Sequence, residues 1–176
     1  MSTQTGVALD HSFSPIVGER ARLLILGSLP GKRSIAEQGY YAHPRNAFWP
    51  IMSQLLGFDC HLPYEARVER LRQHRIALWD VVASAQRPGS LDSDIVRQGA
   101  KYNAIPELIK RCNTIELIAF NGNAAADLFK RAQQTWQMNL ERIELVRLPS
   151  TSPAHAAMSF EQKRDAWKTR LKAAIQ

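Results

Sequence analysis

The 176-residue sequence lacks the features that mark membrane, secreted and disulfide-rich proteins. It has no stretch of about 18 apolar residues, so no membrane span is predicted. Residues 1–18 lack the basic and apolar segments of a signal peptide, and we expect them to form a short mobile arm before a single domain at residues 19–176. Cys60 and Cys112 belong to no CxxC pair, which favours buried thiols over a disulfide or metal framework. These absences predict a cytoplasmic protein without a membrane partner.

The sequence also lacks a true nucleotide-binding P-loop. The segment Gly27–Ser34 is similar to one, but only three residues separate its glycines, and Arg33 rather than Ser or Thr follows Lys32. Pro30 removes one backbone N–H that could bind phosphate. An NTPase is therefore disfavoured.

The residue types that two other kinds of active site use are present, but not at the spacing that those sites need. A serine hydrolase could use Ser152, His155 and Asp80, but the chain contains no GxSxG elbow. A metal site could recruit four side chains, namely His43, Cys60, His61 and His155. These residues show neither HxxxH nor CxxC spacing, so both interpretations remain minor ones and no metal is expected.

Positive charge is abundant and widely distributed. The chain has 23 Lys and Arg residues against 16 Asp and Glu, a formal net charge of +7. The basic residues recur in several segments rather than in one tail, as expected for a surface that follows a nucleic-acid backbone. The charge thus favours a polyanionic partner, with duplex DNA first.

Four short apolar runs predict strands that are buried on both faces, at residues 22–26, 76–82, 115–120 and 143–148. Helical patterns separate them: residues 48–56, 64–75 and 124–134, with Asn123 as a cap for the third, and a last helix that begins with a Ser159–Gln162 capping box. Alternating strands and helices predict an α/β fold, a three-layer α/β/α sandwich around a central, mostly parallel four-stranded sheet.

In such a sheet the active site lies beyond the carboxyl ends of the strands. The loops expected there are Gly27–Asn46, the stretch after Asp80, residues 121–123 and Pro149–His155. The first of these loops ends in the densest aromatic and polar cluster of the chain, Tyr40–Trp49. Its aromatic side chains could be ordinary core, or they could stack on a base that has left the DNA helix.

Three segments, in this order, resemble motifs of the uracil-DNA glycosylase superfamily. Residues 27–31, Gly-Ser-Leu-Pro-Gly, are similar to its first motif, after the first strand. Residues 43–49, His-Pro-Arg-Asn-Ala-Phe-Trp, resemble the HPxNxFW stretch of the mismatch-specific branch. Residues 148–154, Leu-Pro-Ser-Thr-Ser-Pro-Ala, resemble the late loop that inserts into DNA. With the βαβ pattern, the resemblance covers about residues 22–171.

The departures from the superfamily pattern point to its hypoxanthine branch. Leu29 stands where the first motif normally carries an Asn, Asp or Glu that acts on the hydrolytic water. In the hypoxanthine branch that polar residue is also missing, and an Asn of the HPRN segment serves instead, which makes Asn46 the expected catalytic residue. The resemblance further implies that Phe48 stacks on the flipped base. Ala154 stands near the place of the large apolar wedge that relatives insert into the duplex.

The remaining site residues follow from their positions. We expect Asn121, Ser28, Leu29 and Tyr41 to contact the base. The residues expected to contact DNA are Lys32, Arg33, Arg45, Ser150, Ser152, Ala154 and His155. Asn121 could equally be an ordinary Asn-Gly turn.

The sequence therefore predicts a monofunctional DNA glycosylase that excises a deaminated base, hypoxanthine and also uracil, during base excision repair. We expect a monomer that acts on double-stranded DNA in the cytoplasm, associated with the nucleoid. No cofactor and no obligate protein partner are expected. The alternatives are a mismatch-type uracil-DNA glycosylase and a catalytically silent DNA-binding module.

Overall fold

The four apolar runs form one parallel sheet in the computed structural model, which describes residues 8–175. Its strands are β2 (Leu23–Gly27), β3 (Ile76–Asp80), β6 (Leu117–Asn121) and β7 (Glu144–Leu148), in the spatial order β3-β2-β6-β7. All three pairings are parallel, with Leu23 aligned to Ile76 on one side and to Leu117 on the other. The predicted central sheet is thus confirmed.

Helices cover both faces of this sheet. They are α1 (Lys32–Glu37), α2 (Phe48–Leu56), α3 (Tyr64–Gln73), α4 (Ile105–Arg111), α5 (Asn123–Gln133) and α6 (Phe160–Leu171). Alternate residues of β2 enter different cores: Leu24 and Leu26 pack with residues of α4 and α5, whereas Leu23 and Ile25 pack with residues of α2, α3 and α6. The three-layer α/β/α sandwich is therefore confirmed. The described residues contain no helix long and apolar enough to cross a membrane.

A second, antiparallel sheet was not expected. It consists of β1 (Leu9–His11), β4 (Val82–Gln86) and β5 (Lys101–Tyr102), in the order β1-β4-β5. The run at residues 76–82 is not one strand, because β3 ends at Asp80 and β4 starts at Val82 in the other sheet. This break places Asp80 at the carboxyl end of a parallel strand.

The prediction of a mobile arm at residues 1–18 is wrong for residues 8–18, the part of this segment that the structure describes. Leu9–His11 form strand β1 against β4, and Ile16 forms a bridge with Leu78. Asp10 is buried against Arg87, a residue far along the chain. Local sequence patterns cannot reveal this strand, because both its partner strand β4 and the counter-ion of Asp10 are far away in the sequence. Residues 1–7 lie outside the described part of the chain.

Two helix starts test the predicted caps. The Ser159–Gln162 capping box is confirmed, since each side chain bonds the backbone N–H of the other residue. Asn123 is the first residue of α5 rather than its cap, which is Gly122 at φ +96°. A Cβ atom on Gly122 would lie 3.0 Å from the Cβ of Ser150, so this crossing of two loops requires glycine.

We predict that Asp10→Ala lowers the free energy of unfolding by about 3–5 kcal/mol, because it leaves a buried guanidinium without its carboxylate. Arg87 is 1% exposed and its Nη2 lies 2.7 Å from Asp10 Oδ2. Lys32→Ala removes the other partner of Asp10, but the Lys32 side chain is 45% exposed, so this control should cost less than about 1 kcal/mol. Urea denaturation of both variants measures the difference, and equal losses would contradict the prediction.

Candidate active site

Loops at the carboxyl ends of the four parallel strands surround one cleft of about 800 Å³. This volume is in the range of small-molecule sites in proteins. Every site residue predicted from the sequence lines the cleft except Phe48. The cleft is also lined by residues that were not predicted to serve a glycosylase site: Tyr40, His43, Asp80, Arg87, Asp92 and Thr151.

The loop after β2 forms one wall of the cleft, and side chains of residues 87 and 92 hydrogen-bond to it. Ser28 is buried and its hydroxyl donates to Asp92. Leu29 is 5% exposed and presents an apolar surface. The guanidinium of Arg87 donates to the carbonyl of Pro30 and is itself paired with Asp10. Since a buried guanidinium must be paired, this network holds the first-motif loop against β1 and β4.

Tryptophan side chains anchor two further loops through their indole N–H groups. Trp49 Nε1 donates to the Tyr40 carbonyl at 2.8 Å, and Trp167 Nε1 donates to the Pro149 carbonyl at 2.9 Å. Both rings are buried, so each hydrogen bond ties its loop to the helical layer below.

Asn46 stands on the rim of the cleft, just before α2. Its side-chain Oδ1 accepts the backbone N–H of Phe48 at 2.9 Å, as an Asx turn does at the start of a helix. Its amide nitrogen donates no hydrogen bond to any residue from 8 to 175. Asn46 therefore uses one lone pair to bond the first N–H of α2, from the position before the N-cap residue Ala47, and the second lone pair and both amide hydrogens remain for a ligand or water.

The expected role of Phe48 is not possible in this conformation. The ring is fully buried, and the ring of Tyr41 stacks on it with centroids 4.1 Å apart. Tyr41 itself lines the cleft and has a φ of +56°, a left-handed conformation that is unusual for an aromatic residue. The aromatic side chain presented to the cleft is thus Tyr41, with Phe48 as its support.

Asn121 joins two loops. Its Oδ1 accepts the Thr151 N–H at 2.9 Å, and its Nδ2 donates to Thr151 Oγ1 at 2.8 Å. Both residues are buried at the carboxyl ends of the neighbouring strands β6 and β7. Asn121 is therefore more than an Asn-Gly turn, but most of its amide is used to hold the late loop in place.

The turns of the late loop, residues 149–155, are stabilised by hydrogen bonds to the loop's own serine hydroxyl groups. Ser150 Oγ accepts the N–H of Ser152, and Ser152 Oγ accepts the N–H of Ala154. The buried Lys163 donates to the carbonyl of Ser152 at 3.2 Å. Ala154 is exposed at the outer edge of this loop.

The cations predicted to contact DNA differ in whether they are paired with a carboxylate. Lys32 pairs with Asp10 and Arg33 pairs with Glu37, whereas Arg45 is exposed on the rim. The candidate metal ligands are divided: His155 lines the large cleft, and Cys60 and His61 line a smaller one of about 300 Å³. His43 borders both clefts.

Asp80 is the buried acid of the cleft. The side chain is 3% exposed, and Oδ2 accepts the Ser12 hydroxyl at 2.9 Å. Burial raises the pKa of Asp80 to about 7, and the negative charge of Asp92 raises it further, while Ser12, Tyr40 and Arg87 oppose the shift. The sequence does not predict this buried acid, because the apolar run at residues 76–82 that predicts one strand contains Asp80; a lone acid after four apolar residues is the signal that marks its position.

The model of the uracil DNA glycosylase superfamily matches residues 15–176. A hypoxanthine DNA glycosylase from Methanosarcina barkeri is 35% identical over 118 residues, which are 66% of this chain and 73% of that protein. Another, from Methanosarcina acetivorans, is 34% identical over 121 residues, 68% of this chain and 75% of that protein. A solution NMR structure from Methanosarcina acetivorans, described as a candidate uracil DNA glycosylase, has a TM-score of 0.79 and 29% identity, covering 96% of this chain and all of that one.

We predict that Asp80→Asn stabilises the protein increasingly between pH 5 and pH 8. In the unfolded chain the carboxyl ionises near pH 4, whereas in the folded protein its pKa is about 7. The folded state holds the proton more tightly, so the wild-type protein loses stability as the pH rises through this window. An asparagine keeps the acceptor for Ser12 and does not titrate.

Melting temperatures of the wild type and the variant at pH 5 and pH 8 test this prediction. The exposed Asp165→Asn serves as the control, and its small effect should be similar at the two pH values. A gain from Asp80→Asn that is the same at both pH values would show that Asp80 has an ordinary pKa.

Proposed function

Because the chain belongs to the uracil DNA glycosylase superfamily, we propose that it flips a deaminated base out of DNA and hydrolyses the N-glycosidic bond, with hypoxanthine as the preferred base. The observation that carries the proposal is the convergence of the three motif segments, residues 27–31, 43–46 and 150–154, on one cleft. The two relatives named as hypoxanthine DNA glycosylases support the choice of base.

The surroundings of the cleft suit a DNA partner. The net charge is +7, and Lys32, Arg33 and Arg45 line the cleft on one side while the serine-rich late loop lines it on another. Cations and small hydroxyl groups are common contacts to phosphate. We propose that the protein acts as a monomer on double-stranded DNA in the nucleoid, without a cofactor.

In the proposed reaction, bond breaking runs ahead of water attack. Positive charge then grows on the deoxyribose and negative charge on the leaving base, as in other glycosidic cleavages with an oxocarbenium-like transition state. An amide is too weak a base to remove a proton from water, but it can orient the water. Asn46 has the free lone pair and the rim position for this role, and Leu29 has no polar atom.

The flipped base needs an aromatic surface as well as space. Tyr41 is proposed to provide this surface in place of Phe48, which packs behind it. Ser28, Leu29 and Gly31 leave this wall without bulky polar groups, which is consistent with admitting a purine. Uracil, a smaller base, would also fit, so the proposal is an order of preference.

The apolar Leu29 is also compatible with a second function, that of a DNA-binding module without catalytic activity. A superfamily member without a polar residue at this position could bind DNA and leave the base intact. Asn46 and Asp80, both of which line the cleft, supply polar groups that a purely binding module would not require there. We therefore favour the enzyme.

We predict single-turnover release of hypoxanthine from duplex DNA that is faster than release of uracil, with no release of undamaged bases. The labelled strand should break only after alkali treatment, because the described residues of the cleft offer a single lysine, Lys32, and it is paired with Asp10. Faster release of uracil would reverse the assigned preference. Binding of all three duplexes without release would establish the silent module.

We predict that Asn46→Ala slows base release by about 100-fold or more, as the loss of one positioned polar group in an active site commonly does. The substitution also removes the helix cap and should cost about 1 kcal/mol of stability. Asn46→Ser is the matched control, because serine caps a helix as well as asparagine but lacks the amide. It should fold normally and remain slow.

Single-turnover rates, melting temperatures and duplex affinity, measured for both variants, separate the two roles of Asn46. If Asn46→Ser releases the base at the wild-type rate, Asn46 acts only as a cap.

A further inference from the structure

Two polar atoms at the floor of the cleft have no hydrogen-bond partner among residues 8–175. Asp80 uses Oδ2 for Ser12, and Oδ1 accepts no hydrogen bond from residues 8–175. The hydroxyl of Tyr41 is buried and also lacks a partner among these residues. Polar groups in the interior of proteins are nearly always bonded, so a carboxyl oxygen that lines a cleft and has no bond from the described residues indicates a site for a ligand group.

Gly27 brings these two atoms to the same place. A Cβ atom on Gly27 would lie 2.6 Å from Asp80 Oδ1 and 3.1 Å from the Tyr41 hydroxyl. Both polar atoms therefore pack directly against the backbone of Gly27, an approach that a side chain at this position would block. The contact lies at the carboxyl end of β2, at the level of the first-motif loop, where Gly27 and Asp80 line the cleft.

We propose that Asp80 is a catalytic residue that donates a hydrogen bond from its neutral carboxyl group to the carbonyl oxygen of the flipped base. The inference rests on the proposed function, and it adds to Asn46 a residue that acts on the leaving base rather than on the water.

The chemistry of the reaction favours a hydrogen-bond donor beside the leaving base. When the N-glycosidic bond breaks, its electron pair leaves with the base, and the negative charge is shared with the carbonyl oxygen at C6 of hypoxanthine. A neutral carboxyl group stabilises this charge, whereas a carboxylate would repel it. Water then adds hydroxide to the sugar carbon, and the base ends with the remaining proton, so that atoms and charge balance.

The surroundings of Asp80 raise the pKa of the carboxyl group to about 7, so a large share of the molecules carry the proton at neutral pH. The groups that face it are Ser12 from the segment after β1, Tyr40 and Tyr41 from the loop after α1, Arg87 after β4, and Asp92. Burial and Asp92 outweigh Arg87 and the hydroxyl groups, and the pKa is about 7. A bound base displaces water from the cleft and favours the neutral form further.

The experiment is a pH series of single-turnover rates on a hypoxanthine-containing duplex, from pH 5.5 to 8.5, with enzyme in excess. For the wild type, the rate should fall above about pH 7 towards a tenfold loss per pH unit, because only the protonated enzyme reacts. Asp80→Asn, whose amide donates without titrating, should give a flat profile. Asp80→Ala should be slower by about 100-fold.

Asp92→Asn identifies the titrating group. Removing this negative charge lowers the pKa of Asp80, so the fall in rate should move to lower pH without disappearing. If the fall persists unchanged in Asp80→Asn, or vanishes in Asp92→Asn alone, Asp80 is not the donor.

Two outcomes keep the inference separate from the proposed function. If the wild type releases no base at any pH, the proposed function itself is wrong. If the wild type releases hypoxanthine and a folded Asp80→Ala variant does so at the same rate, only the role of Asp80 is overturned. Melting temperature and duplex affinity of each variant show that folding and DNA binding are intact.

Discussion

A parallel sheet that is covered on both faces can present polar side chains only at its ends. The residues of β2, β3 and β6 are buried along their whole length, so these strands consist of apolar residues until their last positions. There Asp80, Gly27 and Asn121 end three neighbouring strands in the order β3, β2 and β6: Gly27 is aligned with Asp80, and Asn121 follows the aligned pair Leu26 and Phe120. This constraint places the cleft, selects the loops around it and brings together residues that are far apart in the chain.

The loops themselves are held by a few buried polar contacts rather than by additional core. Arg87 ties the first-motif loop to Asp10, Asn121 ties the late loop to β6, and the indoles of Trp49 and Trp167 hold loop carbonyls from below. Arg87 and Asn121 also line the cleft, whereas the two indoles are buried in the helical layer below it. Such a scaffold gives the polar groups of the site fixed positions, which electrostatic catalysis requires.

The sequence predicted what depends on local pattern and failed where distant contacts decide. The apolar runs of β2, β6 and β7 and the Ser159 cap are local signals, and the structure confirms them. Strand β1 pairs with β4, and the buried Asp10 pairs with Arg87, which follows β4. No local pattern shows contacts between residues so far apart in the chain. The motif segments identified the cleft, but they could not reveal that Tyr41 would cover Phe48. Asp80 was missed because the apolar run around it seemed continuous.

The substitution at position 29 and the buried acid are connected through charge. Leu29 and Asp80 line the same cleft, and Asp92 already adds a negative charge that raises the pKa of Asp80. A carboxylate at position 29 would add another, close to a base that becomes negative as it leaves. In the proposed mechanism Asn46 orients the water without charge, so leucine at position 29 removes no group that the reaction uses. The proposed donor at the floor of the cleft, the protonated form of Asp80, then works beside a leaving base without a further carboxylate at position 29 to repel it.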